Sequence, residues 1–255
     1  MATVAIGSAR DKARFFYVWM ALACLVTAFG GFAPTYWLQL PAGTFVGRPL
    51  LHLHAALFSS WTLLLLSQTW LAANGRLRHH RAWGLAGIAL ATAMVLVGLA
   101  VAIGSMTAGL ATGYGDRSRA FLILPVTSIL VFAAFFAAAV ANIHRPEWHK
   151  RLMFVATASL LQAAVARVFF ILATGGGPGM RPGLGPPPPV AIGLGGGLVA
   201  DLVMVAGAAF DWRTRGRPHP AWLIGLAVSV TVQVLRGPLS TTAPWLAIAR
   251  GLAAF

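Results

Sequence analysis

The sequence predicts an all-α fold: a polytopic transmembrane helical bundle of about seven spans, with its N-terminus in the cytoplasm. Of its 255 residues, 58% are hydrophobic and only 9% are charged, whereas a soluble domain has about 25% charged residues. Seven apolar runs are long enough to cross a bilayer, and Lys and Arg concentrate between alternate runs. Because every backbone polar group in lipid must be bonded internally, helices are the structure that such runs favour.

About 20 mostly apolar residues span a bilayer as a helix. The predicted spans are 15–39, 50–73, 82–104, 120–143, 152–174, 190–210 and 221–240. No polar stretch between them is long enough for a soluble domain, so 1–255 is predicted to be a single transmembrane domain. The first run exceeds the roughly 7–15 apolar residues of a signal peptide, so we expect it to be a retained span.

Three later segments have special features. The predicted seventh span contains Arg236 and Gly237-Pro238 near its end, so we expect a kink or local unwinding there. Residues 244–255 either lie along the membrane interface or pack as a short extra helix. Residues 175–189 form a Gly/Pro-rich outer loop, which is either a flexible connector or a lid over an outer cavity.

Charge bias sets the orientation, because cytoplasmic loops are enriched in Lys and Arg. With the N-terminus inside, twelve basic residues are cytoplasmic: Arg10, Lys12, Arg14, Arg76, Arg78, Arg81, Arg145, Lys150, Arg151, Arg213, Arg215 and Arg217. Five lie outside: Arg48, Arg117, Arg119, Arg181 and Arg250. The net charge of +14 therefore reflects helix flanks, and the lipid bilayer rather than nucleic acid is the predicted partner.

Several polar residues fall inside the predicted spans, where each ionisable group costs about 2.5–3.5 kcal/mol even on insertion scales. The outer halves of four spans hold His52, His54, Arg167, Asp201, Gln233 and Arg236. We expect Asp201 to pair with Arg167 or Arg236, because neither sign of charge is stable alone in lipid. Such a cluster either binds a small ligand or lipid, or only locks the helices together.

Histidines at the cytoplasmic ends form a second candidate site. His80, His149 and His219 lie at one predicted level, where they could ligate a metal or serve as axial haem ligands. The alternative is that they are ordinary interfacial residues beside arginines. None of their spacings matches a metal-binding motif such as HExxH.

Other chemistry has no support in the sequence. It contains no GxxxxGK[ST] nucleotide loop and no GxSxG nucleophile motif. The last span has no Lys that could form a retinal Schiff base. The sequence therefore assigns no catalytic residue and leaves open whether the protein is an enzyme.

Three segments carry a family resemblance: HLHAALFSSWTLLLLSQTWLAANGRLRHHRAWGLAG, RPEWHKRLMFVATASLL and DLVMVAGAAFDWRTRGRPHP. They resemble a family of bacterial polytopic inner-membrane proteins recorded as hypothetical membrane proteins. The resemblance implies a multi-pass location in the bacterial inner membrane and no established activity.

A looser similarity links the chain to the ascorbate-type b-haem membrane cytochromes. His54 opens one span and His80 opens the next. The similarity implies b-type haem held by histidines on different helices at equal depth. Here the outer side offers His52 and His54 on one helix, and only the inner side offers a pair, for instance His80 with His149.

Three functional hypotheses follow. The first is a small-ligand- or lipid-binding protein, or an accessory protein that assembles with other membrane-protein subunits, using the outer-half polar cluster. The second is a membrane redox protein that binds a b-type haem or a metal through histidines. The third is a proton-coupled carrier in which Asp201 titrates.

Overall fold

The computed structural model describes residues 2–175 and 185–254, and these residues form α-helices and their connections. The helices are α1 (Ala2–Phe32), α2 (Pro49–Ala73), α3 (Leu77–Ala111), α4 (Asp116–Phe121), α5 (Ile123–Ala141), α6 (Pro146–Thr174), α7 (Gly193–Ala200), α8 (Leu202–Arg215), α9 (Pro220–Leu239) and α10 (Ala243–Leu252). Most of the predicted outer loop, residues 176–184, lies outside the described residues.

The predicted fold class is confirmed. Seven segments of the described chain are helical, apolar and long enough to cross a membrane: Phe15–Trp37, Pro49–Ala73, Leu77–Ala111, Asp116–Ala141, Pro146–Ala173, Val190–Arg215 and Pro220–Leu239. Each overlaps one predicted span. The protein is thus a multi-pass helical membrane protein, while its placement in a bacterial inner membrane stays a prediction.

Proline and glycine set several helix ends. α2, α6 and α9 each begin with a proline at the first position, where the missing N–H would have had no helical partner. Gly216 ends α8 in the left-handed conformation with φ of 74°, which glycine adopts without steric cost. These local signals define the short turns that return the chain through the bundle.

Helix α6 is central and packs against α1, α5, α7, α8 and α9. Glycines permit its closest approaches: a Cβ on Gly31 of α1 would overlap the Ala164 backbone, and one on Gly225 of α9 would lie 2.7 Å from Val155. The buried indole of Trp61 on α2 donates to Thr157 Oγ1 of α6 at 3.1 Å. Polar groups on α6 are therefore held close to groups on its neighbouring helices.

Large apolar side chains cover the outside of the bundle. Trp19, Leu85 and Leu172, on three different helices, are more than half exposed. Such a surface would associate or precipitate in water, whereas lipid solvates it. The environment of these helices is therefore a lipid bilayer.

Helix α9 continues through Pro238 to Leu239, so the local unwinding expected at Gly237-Pro238 does not occur. Helix α10 is a short extra helix that packs on the bundle, with the indole of Trp245 donating to the Arg119 carbonyl at 3.0 Å. This contact joins α10 to α4 at the end of the bundle where α3 ends.

Candidate functional site: two buried polar clusters

Two groups of polar side chains, each with buried charged residues at its centre, lie at different levels of the bundle. The first, called here the Arg151 cluster, lies where α6 and α9 begin and α8 ends. It comprises Glu147, Lys150, Arg151, Asp211, Arg215 and Trp222. The second, the Asp201 cluster, lies further along the same helices. It comprises Thr127, Ser128, Gln162, Asp201, Gln233 and Arg236.

Arg151 and Asp211 form the centre of the Arg151 cluster, and both side chains are 0% exposed. Arg151 Nε donates to Asp211 Oδ2 at 2.7 Å, and Nη2 donates to Oδ1. Nη1 donates to the Glu147 carbonyl and to Glu147 Oε2, both at 2.8 Å. The guanidinium group thus makes the bidentate contact for which its shape is suited and gains two further acceptors.

Asp211 gains additional donors from the beginning of α9. The indole of Trp222 donates to Asp211 Oδ2 at 2.9 Å, and the backbone N–H of His219 donates to the same oxygen at 3.3 Å. Gly207 leaves the space that the Trp222 ring occupies, because a Cβ there would overlap the ring. The cluster therefore ties α6, α8 and α9 together with every central charge compensated.

His219 is the N-terminal cap of α9, where its Nδ1 accepts a hydrogen bond from Ala221 N at 3.2 Å. Its ring stacks edge-on against Trp148, with the centroids 4.8 Å apart. Burial, followed by repulsion from Arg151, lowers the pKa of His219 below its ordinary value. His219 thus acts as a neutral helix cap beside the ionic cluster.

In the Asp201 cluster, the structure gives Asp201 fewer hydrogen-bond donors than it gives Asp211. Asp201 lies at the junction of α7 and α8 and is 3% exposed. Gln233 Nε2 of α9 donates to Asp201 Oδ2 at 3.1 Å. Among the described residues, Oδ1 of Asp201 and Oε1 of Gln233 have no hydrogen-bond partner.

Arg236 is 4% exposed and is held by neutral oxygens. Its Nε donates to Thr127 Oγ1 at 2.6 Å, Nη1 to Gln162 Oε1 at 2.6 Å, and Nη2 to Ser128 Oγ at 3.0 Å. The expected direct ion pair between Asp201 and Arg236 does not form, because these three acceptors on α5 and α6 take up the guanidinium group. Arg236 acts on Asp201 through space.

A small cavity adjoins Gln233 and Arg236. It is lined by Ser159, Gln162, Ser229, Gln233 and Arg236, together with apolar side chains, and its volume is about 10 Å³. That is about the space needed for one water molecule. The hydroxyl of Ser229 is buried and has no partner among the described residues. The cavity thus places an unsatisfied hydroxyl and an unsatisfied amide oxygen beside a buried cation.

Gly197 leaves the space that the Gln233 side chain needs to reach Asp201. It lies one helical turn before Asp201, and a Cβ on it would lie 2.5 Å from Gln233 Cδ. Gly195, two residues earlier, has open space around its Cβ direction. The glycine-rich start of α7 therefore has one position where only glycine leaves room for the Gln233 amide.

The remaining outer-half candidates lie elsewhere. His52 Nδ1 is 2.9 Å from the Tyr36 hydroxyl in an exposed contact, and His54 stacks on Phe58 with centroids 4.1 Å apart. Arg167 lies 4.2 Å from the Phe32 ring centroid and donates to the Ala163 carbonyl. The structure thus brings Asp201, Gln233 and Arg236 together, and places His52, His54 and Arg167 around α1 and α2.

Of the three histidines predicted at the cytoplasmic ends, His80 and His149 come together and His219 does not join them. Their ring centroids are 6.3 Å apart and their planes are nearly perpendicular. His80 Nδ1 lies 3.3 Å from the Gln68 carbonyl, and His149 Nδ1 lies 2.9 Å from the Ala139 carbonyl. Within residues 2–175 and 185–254, no group of three His, Cys, Asp or Glu side chains is arranged to hold a metal ion.

Sequence reasoning missed two parts of these clusters. It assigned Arg151 to a cytoplasmic flank, although the structure buries it completely. It also left out Thr127 and Ser128, which look like ordinary small residues in an apolar run. The signal for Arg151 was its position four residues after Glu147, a spacing that places the two side chains on one helix face.

Comparison with known proteins found no matching family model, no matching curated protein and no matching solved structure. The resemblance to the bacterial membrane-protein family therefore stays a prediction.

Proposed function

We propose that this membrane protein binds a small polar ligand inside the bundle, at the Asp201 cluster. The observation that carries the proposal is the set of buried polar atoms that have no hydrogen-bond partner among the described residues: Asp201 Oδ1, Gln233 Oε1 and Ser229 Oγ. Buried polar groups are nearly always hydrogen-bonded, and leaving one unpaired costs about 1–3 kcal/mol. A ligand that supplies donors or positive charge would remove this cost.

The chemistry and size of the site restrict the ligand. Carboxylate and amide oxygens accept hydrogen bonds or coordinate hard cations. The adjoining cavity is about 10 Å³, so a ligand held there is about as large as water. The class is therefore a proton, a water molecule or a monovalent cation such as ammonium or sodium. An accessory role alongside other membrane-protein subunits remains a prediction from the sequence.

Thermal unfolding of the detergent-purified protein tests the proposal. The probes are ammonium, sodium and choline chlorides at equal ionic strength, with choline as the cation too large for the cavity, and a pH series in choline. A ligand that binds the folded state raises Tm with its concentration. We expect ammonium, sodium or protons to raise Tm in the wild type and to lose that effect in Asp201→Asn.

The matched control is Asp116→Asn, which removes an exposed carboxylate that pairs with Arg119 at 2.7 Å. This variant should respond to the probes as the wild type does. If wild type and Asp201→Asn respond alike to all three cations and to pH, the site binds none of these ligands and the proposal is wrong.

A second candidate function is b-type haem or metal binding at His80 and His149. The observation that favours it is their ring pair, with each Nδ1 next to a backbone carbonyl. Because a carbonyl only accepts, Nδ1 carries the proton in each ring and Nε2 is left as the ligating nitrogen. The buried side-chain amide of Gln68 has no hydrogen-bond partner among the described residues. Its donor and acceptor therefore remain available on the residue whose backbone carbonyl contacts His80.

An absorption spectrum of the purified protein, oxidised and then reduced with dithionite, tests this candidate together with metal analysis. A Soret band or stoichiometric metal that is lost in His80→Ala and His149→Ala would support it. The neighbouring exposed histidines give the controls His79→Ala and His144→Ala. A featureless spectrum without stoichiometric metal would remove it.

A further inference from the structure

The unsatisfied groups at the Asp201 cluster have a specific geometry. Asp201 and Gln233 are already joined by one hydrogen bond, from Gln233 Nε2 to Asp201 Oδ2. The oxygen left over on each side chain lacks a donor among the described residues. A carboxylic acid and a primary amide can pair through two hydrogen bonds, and the bond that is missing here runs from the acid O–H to the amide oxygen.

We propose that Asp201 carries a proton in the resting protein and shares it with Gln233 Oε1, so that acid and amide form a closed pair. One proton on Asp201 Oδ1 satisfies both unpartnered oxygens at once. The proton comes from water and returns to water, so the step forms and breaks only an O–H bond. This inference rests on the proposed function, and it identifies the ligand.

The surroundings of Asp201 favour the neutral acid. An ionised carboxylate in lipid needs a direct cation or several donors, whereas the one donor to Asp201 within residues 2–175 and 185–254 is a neutral amide. The elements packed around the cluster contribute Thr127 and Ser128 from α5 and Gln162 from α6, none of which titrates. Among the described residues, Arg236 is the charged group whose field reaches Asp201.

Arg236 makes the protonation reversible. It follows Gln233 by three residues on α9, so both side chains lie on one helix face. Its three nitrogens are bonded to neutral oxygens, so its positive charge remains available to stabilise Asp201 after the proton leaves. The cavity beside Gln233 and Arg236 has room for about one water, which could accept that proton. The arrangement is that of a site for proton uptake and release inside a membrane.

A substitution at Gly197 can test this inference without replacing Asp201 or Gln233. A Cβ at Gly197 would meet Gln233 Cδ at 2.5 Å, whereas Gly195 has no heavy atom within 4 Å of its Cβ position. Gly197→Ala should therefore displace the amide from the acid. Gly195→Ala, on the same short helix, should not.

Infrared spectroscopy of the purified protein tests the proposal directly, because a protonated carboxyl has its own C=O stretching band. The chain contains only five acidic residues, which keeps the assignment simple. Of the four whose side chains the structure describes, three are ion-paired: Asp116, Glu147 and Asp211. A carbon-13 label on the aspartate carboxyl distinguishes aspartate from every other group.

At neutral pH we expect one protonated-carboxyl band that shifts with the aspartate label and in D2O. It should vanish in Asp201→Asn and persist in Asp11→Asn and Asp116→Asn. Gln233→Leu and Gly197→Ala should shift it to higher frequency, because the acid loses a hydrogen bond, and Gly195→Ala should leave it unchanged.

Absence of the band in the wild type would overturn the inference, and that measurement requires no variant to fold. Persistence of the band in Asp201→Asn would overturn it as well. If the band is absent but ammonium or sodium raises Tm through Asp201, the ligand is a cation and only this inference fails. If neither effect exists, the proposed function fails too.

Discussion

The Arg151 and Asp201 clusters each bury one aspartate among the same helices, and they satisfy it in opposite ways. Asp211 accepts two hydrogen bonds from Arg151 and others from Trp222 and the His219 backbone. Asp201 accepts one, from Gln233, and keeps an oxygen without a donor among the described residues. A fully satisfied network rigidifies a fold, whereas an incomplete one has capacity left for a ligand. The comparison therefore indicates a structural role for the first cluster and supports the proposed binding of a ligand at the second.

The largest expected effect is that of Asp211→Asn. Removing this charge leaves Arg151 buried with weaker compensation, and breaking a buried ion pair costs about 3–5 kcal/mol. Thermal unfolding in detergent, with the amount of folded protein after purification, measures the loss. Glu147→Gln should cost less, because Glu147 is about 41% exposed and solvent screens its charge. If Asp211→Asn is as stable as the wild type, the Arg151 cluster does not have the structural role that the comparison indicates.

A smaller loss is expected for Trp222→Phe. The ring volume is nearly kept, but Asp211 loses the indole donor at 2.9 Å, and a hydrogen bond to a charged group contributes about 1.5–3 kcal/mol. Because Arg151 still pairs with Asp211, we expect the low end of that range in the free energy of unfolding. Trp83→Phe, at an exposed position on α3, is the control and should change stability little.

Asp201→Asn should change the free energy of unfolding by no more than about 1 kcal/mol. The asparagine can make as many hydrogen bonds to Gln233 as a neutral aspartic acid would make. Asparagine keeps an oxygen for Gln233 Nε2 and brings an NH2 group that can donate to Gln233 Oε1. Comparing its Tm with that of Asp211→Asn at one pH sharpens the contrast between the clusters. A loss as large as that of Asp211→Asn would mean that Asp201 is an ionised structural anchor.

The smallest effect concerns His219 and pH. Burial and Arg151 lower its pKa in the folded state, so the unfolded state binds the proton more readily. Stability should therefore fall as pH drops through the ordinary histidine range, about 6.5, towards the lower folded-state value. His219→Asn, which keeps a capping acceptor but does not titrate, should flatten the Tm-against-pH curve. If Tm depends on pH equally in the wild type and in His219→Asn, His219 is not the residue that causes the loss of stability at low pH.

The fold followed from the sequence because the bilayer imposes few alternatives. The predicted 50–73 and 221–240 spans differ by one residue at most from α2 and α9 at either end. The third helix, Leu77–Ala111, is longer than the predicted 82–104, because it continues through residues beyond the apolar core of the run. Charges at a helix end do not stop a helix, so hydropathy underestimates its length.

The candidate sites were only partly accessible to sequence reasoning. Depth along a span placed Asp201, Gln233 and Arg236 at a common level, and the structure joins them. Depth also placed His54 and Arg167 there, but these residues lie around α1 and α2. Depth is read from residue spacing, whereas the direction in which a side chain points depends on how the helix is rotated against its neighbours.

The sequence by itself determined the seven membrane-spanning helices, because hydrocarbon solvates only long apolar stretches with internally bonded backbones. Tertiary structure alone decided which buried charges are compensated. It brought Arg151 onto Asp211 across 60 residues, and it gave Arg236 the neutral oxygens of Thr127, Ser128 and Gln162 in place of Asp201. A difference of a few tenths of an ångström in the donor–acceptor distance decides whether a hydrogen bond forms. Helix packing, rather than residue spacing, sets that distance.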